Sequence, residues 1–170
     1  MSTQIRAVVI TVSDACALGE REDQSGATLV KLLTEMGAEI IGKEIVSDDL
    51  DPLAHKLRAY ADLHYVNLIV TTGGTGLGPR DNTPEATLRI IEREAPGLAE
   101  AMRIQTLKNT PMAMISRGVC GIRSGALIVN LPGAPKAVRE SFAVIAPVLN
   151  HAIALVAGQT SHPSEVGAKE

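Results

Sequence analysis

Short apolar segments alternate with segments of helical periodicity, and this alternation most limits the folds open to the chain. IRAVVITV at 5–12 and GALIVNLP at 125–132 are almost continuously apolar, as are parallel strands that helices cover on both faces. NLIVTT at 67–72 is a third such run, and the more polar AEIIGKEIV at 38–46 predicts a strand nearer an edge. We therefore predict an α/β fold with a mostly parallel sheet.

The segments between these strands predict helices with recognisable beginnings. Ser25 is the predicted cap of the helix after the first strand, Asp51 of the helix after the second, and Thr83 of the helix after the third. A proline follows each of the last two caps, which is the usual position of proline in a first helical turn. The last helix spans 134–158, with a kink or break expected at Pro147.

A chain of 170 residues corresponds to about one domain. No segment has the composition of a linker, so we predict a single domain over residues 1–158. Residues 159–170 are polar and offer nothing to bury, which predicts a loose tail. No internal repeat suggests a solenoid.

Composition argues against several classes of function. The net charge is −3 and aromatic residues make up 2% of the chain, so we expect no nucleic-acid partner. No apolar run approaches the ~18 residues that cross a bilayer, so we expect no membrane partner. Two cysteines and the lack of a secretory leader predict a reduced, cytoplasmic protein.

The segment TTGGTGLGPRDNTPEATLRII at 71–91 places four glycines within six residues, directly after an apolar strand. Glycines allow backbone N–H groups to approach an anion closely, and the following helix directs a positive dipole end to the same place. The segment matches neither the P-loop nor the dinucleotide-binding fingerprint. We interpret it as a phosphate cradle, with a set of tight turns as the alternative.

Acidic residues follow the same strand ends. Asp14 and Asp23 lie after the first strand, Asp48 and Asp49 after the second, and Asp81 after the glycines. Carboxylates beside an anion site suit a divalent cation that bridges protein and phosphate oxygens, although turn and cap roles remain open for each. The basic residues that would neutralise phosphate are Arg80, Arg117, Arg123 and Lys136. These patterns predict an α/β domain that binds a phosphorylated small molecule.

Several motifs together carry a resemblance to a known family. They are TVSD at 11–14, DQSG at 23–26, TTGGTG at 71–76, PRDNTPEAT at 79–87, PGL at 96–98, SRGVCGIR at 116–123 and LIVNLPGAPKAV at 127–138. In this order and spacing, over about residues 5–157, the chain resembles the MoaB/Mog family of molybdopterin-binding proteins. The resemblance implies a three-layer α/β/α sandwich that typically forms a homotrimer.

The same resemblance implies a function. One branch of the family adenylylates molybdopterin with Mg²⁺ and ATP, giving adenylyl-molybdopterin and pyrophosphate in molybdenum cofactor biosynthesis. PRDNTPEAT is similar to that branch, whereas the MoaB branch tends to replace its Arg-Asp-x-Thr-Pro portion. The alternative is a MoaB-type molybdopterin-binding or carrier protein without adenylyl transfer. A transient contact with the molybdenum-insertion protein would follow from the pathway.

The resemblance also assigns the site residues. Asp48 and Asp81 would be catalytic and would hold Mg²⁺, with Asp49 as the alternative to Asp48. The cofactor-binding residues would be Gly73, Gly74, Thr75 and Gly76 in the cradle; Asp14, Asp23, Ser25 and Gly26 on the nucleotide side; and Ser116, Arg117, Asn130, Pro132, Gly133 and Lys136 around the pterin. The division of these last two groups between nucleotide and pterin stays open.

Overall fold

The computed structural model describes residues 3–159, which form a sheet flanked by helices. Its elements, in chain order, are β1 (Arg6–Val12), α1 (Asp14–Ala17), α2 (Gln24–Glu35), β2 (Glu39–Val46), α3 (Leu50–Ala61), β3 (Leu68–Thr72), α4 (Thr83–Ile90), β4 (Arg93–Glu94), α5 (Pro96–Leu107), a 3₁₀ helix (Pro111–Ile115), β5 (Cys120–Arg123), β6 (Ala126–Leu131) and α6 (Pro135–Val156). The predicted tail, apart from its first residue, lies outside the described residues.

The six strands form one sheet in the order β2-β1-β3-β6-β5-β4. The first four of these are mutually parallel, whereas β5 pairs antiparallel with β6 and β4 pairs antiparallel with β5. The mostly parallel sheet and the edge position of β2 are confirmed. Helix α4 ends at Ile90, and Arg93 and Glu94 join the sheet as β4.

Successive strand residues point to opposite faces of the sheet, and each face has its own apolar core. Val9 and Val70 pack with α2, α5 and α6 on one face. Ile10 and Ile69 pack with α3 and α4 on the other. Because helices cover both faces of the parallel strands β1, β3 and β6, every residue of these three strands after Arg6 is buried, which explains their continuous apolar sequence. The three-layer α/β/α sandwich is confirmed.

Helix α6 requires one correction. Its 22 residues contain an 18-residue stretch with a mean hydropathy of 1.2, so by length and composition alone the helix could cross a membrane, contrary to the sequence expectation that no apolar run is this long. Phe142, Ile145 and Leu149 on its inner side are at most 4% exposed and pack in the core, which accounts for the composition. Pro147 lies exposed within the helix, which continues past it rather than breaking.

The caps of α3 and α4 lie one or two residues before the predicted positions. Helix α3 begins at Leu50 with Asp49 at its N-cap, so Asp51 is a first-turn acid. Helix α4 begins at Thr83 with Asn82 at its N-cap, and neither cap side chain bonds its own helix. Asp49 instead pairs with Arg80, and the side-chain amide of Asn82 donates to the carbonyl of Asp48 at 2.9 Å.

Candidate functional site

A cavity of about 820 Å³ opens at the carboxyl ends of β1, β3 and β6. Ligands of open α/β sheets bind at this edge, because loops from several strands meet there. The loops after the three strands line one side of the cavity, and α5 with the 3₁₀ helix lines the other. Of the predicted site residues, the cavity brings together Ser25, Asp48, Gly73, Gly74, Thr75, Gly76, Asp81, Ser116, Asn130, Pro132 and Gly133.

The first two glycines of the cradle are required by backbone geometry. Gly73 and Gly74 have φ values of +96° and +63°, a region that favours glycine. A Cβ on Gly73 would lie 2.3 Å from the carbonyl oxygen of Val12, and one on Gly74 would lie 2.4 Å from Oγ1 of Thr83. The Thr83 hydroxyl donates to the carbonyl of Gly73 at 2.9 Å, and its amide donates to the carbonyl of Gly74 at 3.0 Å. The turn is therefore tied to the first residue of α4.

The second pair of glycines makes room for Asp81. A Cβ added to Gly76 would lie 2.9 Å from Oδ2 of Asp81, and a Cβ added to Gly78 would lie 2.8 Å from the same oxygen. The amide of Gly78 donates to this oxygen at 2.8 Å. The Asp81 carboxylate thus closes the loop, while the residue also lines the cavity.

Asp48 forms a reciprocal pair of hydrogen bonds with Asp14. The amide of Asp14 donates to Oδ2 of Asp48 at 2.8 Å, and the amide of Asp48 donates to Oδ1 of Asp14 at 3.0 Å. Asp48 is half-buried. Burial raises the pKa of its carboxyl, and the charges of Asp14 and Asp81 act in the same direction, against one hydrogen bond that lowers it. A carboxylate destabilised in this way gains from a nearby cation.

Arg80 joins two of the acidic loops. Its Nε lies 2.7 Å from Oδ2 of Asp14, and its Nη2 lies 3.0 Å from Oδ1 of Asp49. The hydrogen bonds from Arg80 hold the pKa of Asp14 below its usual value. Asp14 and Asp49 are thus both paired with Arg80 and do not line the cavity, whereas Asp48 does. This difference favours Asp48 over Asp49 as the acid that faces a ligand.

Both carboxylate oxygens of Asp23 make contacts within the protein. Its Oδ1 accepts the amide of Gly26 at 2.8 Å, so Asp23 rather than the predicted Ser25 caps α2. Its Oδ2 accepts the Thr11 hydroxyl at 2.9 Å and pairs with Lys43 at 3.2 Å. A Cβ on Gly26 would lie 2.2 Å from this carboxylate. Neither Asp23 nor Gly26 lines the cavity, whereas Ser25 does.

Arg117 supports the glycine loop from outside. Its guanidinium donates to the carbonyl oxygens of Gly76 and Asp81 and pairs with the carboxylate of Glu85. Lys136 is an exposed side chain that lies 3.8 Å from Glu140. The structure places neither cation in the cavity lining.

Asn130 organises the strand ends beneath the cavity. Its Oδ1 accepts the amide of Val119 at 3.1 Å, and its Nδ2 donates to the hydroxyls of Thr71 and Thr87 at 3.1 and 3.0 Å. All its side-chain polar atoms are thus engaged, and the residue is only 2% exposed. Backbone packing also explains Gly133, where a Cβ would lie 3.3 Å from Cα of Gly73.

The sequence reasoning missed the wall formed by α5. Ala99, Met102, Arg103 and Thr106 line the cavity at positions i, i+3, i+4 and i+7, which are one face of a helix. The periodicity was available in the sequence, but it did not show that this face borders a cavity. Met102 and Ala99 also pack in the core, so one face of α5 contributes both to the core and to the cavity wall.

A metal ion would need ligands from outside the protein. Among residues 3–159, no three His, Cys, Asp or Glu side chains are grouped so as to hold an ion. Asp48 and Asp81 both line the cavity and interact electrostatically. Two carboxylates completed by substrate oxygens and water suit Mg²⁺, which seldom has an all-protein cage.

The chain matches one known protein family over most of its length. A family described as "probable molybdopterin binding domain" matches residues 8–151, which include all three cavity loops. The chain belongs to this family. The predicted resemblance to MoaB/Mog proteins is thereby confirmed.

Individual relatives match most of the chain. It is 38% identical over 159 residues to a Helicobacter pylori protein named molybdopterin adenylyltransferase, covering 92% of this chain and 90% of that protein. It is 43% identical over 155 residues to the Drosophila melanogaster molybdenum cofactor synthesis protein cinnamon, covering 90% of this chain but only 26% of cinnamon. A solved MoaB structure from Thermus thermophilus has a TM-score of 0.86 at 47% identity, covering 91% of this chain and 98% of that one.

Proposed function

We propose that this protein is a molybdopterin adenylyltransferase of molybdenum cofactor biosynthesis. It transfers the AMP portion of ATP to the terminal phosphate of molybdopterin and releases pyrophosphate. The observation that carries the proposal is that the glycine loop, Asp48 and Asp81 line one cavity. The Helicobacter pylori relative supports the activity, because the similarity extends over nine-tenths of a protein with that name.

In this reaction an oxygen of the pterin phosphate attacks the α-phosphorus of ATP. The bond from that phosphorus to the bridging oxygen of the β-phosphate breaks, and both electrons leave with pyrophosphate. The nucleophile is already anionic, so no strong base is needed. The protein has to hold two mutually repelling anions in line, which calls for fixed donors and positive charge.

Different residues of the cavity would position the phosphates and hold the metal ion. The backbone of residues 73–76 would orient phosphate oxygens, since the turn is held on three sides by Val12, Thr83 and Arg117. Asp48 and Asp81 would hold Mg²⁺ between them and the phosphates. When bound, the ion supplies charge that neutralises the phosphates. The raised pKa of Asp48 fits this role, because a cation relieves its destabilised ionised form.

Asparagine variants of the two acids test the proposal. Asp81→Asn and Asp48→Asn should keep molybdopterin binding but lose at least about a hundredfold in adenylyl transfer, since each removes a carboxylate that would hold Mg²⁺ beside the phosphates. Asp51→Asn is the matched control, because Asp51 is an exposed acid paired with Arg89 outside the cavity. Labelled ATP, molybdopterin and purified protein are mixed with and without Mg²⁺, and pyrophosphate is measured. Unchanged turnover in both site variants would remove the acids from the mechanism.

The alternative from the sequence was a carrier that binds molybdopterin without consuming ATP. The relatives named as adenylyltransferases favour the enzyme over the carrier. The same assay separates the two, because a carrier would bind molybdopterin tightly while wild-type protein released no pyrophosphate.

The remaining proposals rest on the family resemblance. We infer that the chain is one domain over residues 1–158, that it forms a homotrimer and that it acts in the cytoplasm. A transient contact with the molybdenum-insertion protein would pass on the adenylylated product. The similarity to cinnamon fits such proximity, since the matched region is about a quarter of a longer cofactor synthesis protein. Sedimentation analysis of the purified chain tests the trimer.

A further inference from the structure

Two arginines beside the cavity are already paired with acids. Arg80 pairs with Asp14 and Asp49, and Arg117 pairs with Glu85. The cavity lining itself contains two cations, Arg21 and Arg103. Neither forms an ion pair with any residue in the described part of the chain. These two guanidinium groups are therefore the positive charges available to an anionic ligand.

The two arginines stand at different places. Arg21 is exposed and donates to the hydroxyl of Ser13 at 2.9 Å, in the loop after β1. Arg103 is half-buried on α5, and its Nη1 donates to the carbonyl of Gly118 at 2.7 Å. This single bond fixes the guanidinium and leaves its other N–H groups without a protein acceptor in the described residues. A fixed planar fork of donors suits a phosphate group.

The surroundings of Arg103 indicate which ligand reaches it. Ala99, Met102, Met112 and Ala113 line the same wall of the cavity. Small apolar and methionine side chains pack against a flat heterocycle when no aromatic residue is present. The acids and glycines that suit a metal-bound triphosphate lie in the loops after β2 and β3 instead. The wall that carries Arg103 thus favours the flat pterin over the ATP triphosphate.

We infer that Arg103 binds the phosphate of the pterin substrate and selects the phosphorylated form of the pterin. The inference rests on the proposed function, because it assigns a substrate group to a residue of the same cavity. A half-buried cation beside an apolar wall discriminates by charge, since a pterin alcohol offers no anion to compensate its partial desolvation. Arg103 is a binding residue in this assignment and takes no part in bond breaking.

The test measures binding of molybdopterin in the absence of ATP, which separates it from the adenylyl-transfer assay. Arg103→Gln should weaken molybdopterin binding about 10- to 100-fold, the range for loss of a charged hydrogen-bond partner. The dephosphorylated pterin should bind wild type and variant equally. Arg139→Gln is the matched control, because Arg139 is an exposed helical arginine with one side-chain hydrogen bond, to Thr28. It should bind both ligands as wild type does.

Arg103→Lys covers the case in which the glutamine variant does not fold. It keeps the charge and the aliphatic stem but loses the planar fork, so a smaller loss restricted to the phosphorylated ligand is expected. Two results overturn the inference. One is unchanged molybdopterin affinity in a folded Arg103 variant, and the other is an equal loss for both pterins. If wild-type protein binds molybdopterin but never releases pyrophosphate, the proposed function fails while the assignment of Arg103 stands.

Discussion

Replacing Gly74 with alanine tests whether the glycine loop requires a residue without a side chain at this position. Gly74 has a φ of +63°, a region that costs an alanine about 1–2 kcal/mol. Its Cβ would also lie 2.4 Å from Oγ1 of Thr83 and 3.3 Å from Oδ1 of Asp48. Thr83 is fully buried and donates to the carbonyl of Gly73, so it cannot rotate away without losing a buried bond. Such overpacking adds about 1–3 kcal/mol.

The expected loss in the free energy of unfolding is therefore about 2–5 kcal/mol. Two matched variants separate the contributions. Gly37→Ala has a similar strain, with a φ of +87°, but its Cβ meets nothing within 4 Å, so it should lose only about 1–2 kcal/mol. Gly97→Ala has neither strain nor contact and should stay within about 0.5 kcal/mol of wild type.

Urea denaturation of the four proteins at one pH measures these differences, provided that the slope with urea is the same for all. Adenylyl transfer by Gly74→Ala below its unfolding transition is measured in parallel, and it should fall because Asp48 is displaced. If Gly74→Ala lost no more stability than Gly37→Ala, the close approach of Thr83 would not constrain the loop, and the reasoning on the cradle would be refuted.

Three further predictions follow from contacts around the site. Arg80→Gln should lower stability at pH 7, because Arg80 holds the pKa of Asp14 below its usual value of 3.8; the difference from wild type should shrink in urea melts as the pH falls below 3.8, where Asp14 is protonated in the unfolded chain. Cys120 should resist alkylation at pH 8 until urea unfolds the protein, since burial raises its pKa to about 12; rapid labelling of folded protein would contradict this. Asn130→Ala should cost about 2–4 kcal/mol in urea melts by removing three buried hydrogen bonds, and a cost near zero would show that the strand ends do not depend on them.

The predicted site acids show what motif resemblance could and could not predict. Asp48 and Asp81 were expected at the site, and both line the cavity. Asp23 was expected beside the nucleotide, but its carboxylate is used by Gly26, Thr11 and Lys43. A sequence motif records that an acid is present, whereas the contacts that occupy its oxygens come from residues far along the chain.

The sequence by itself determined the layered architecture. Continuous apolar runs can be satisfied only by strands covered on both faces, and Gly73 and Gly74 stand where a turn needs positive φ. Only the tertiary structure decided the antiparallel strands β4 and β5, because two to four residues carry too little periodicity to predict a strand. It also decided which cations are left for a ligand, since Arg117 is paired with Glu85, 32 positions away, whereas Arg103 has no ion pair among the described residues and lies on α5 in the cavity lining. Local sequence determines the elements, but the neutralisation of each charge depends on which distant residues the fold brings beside it.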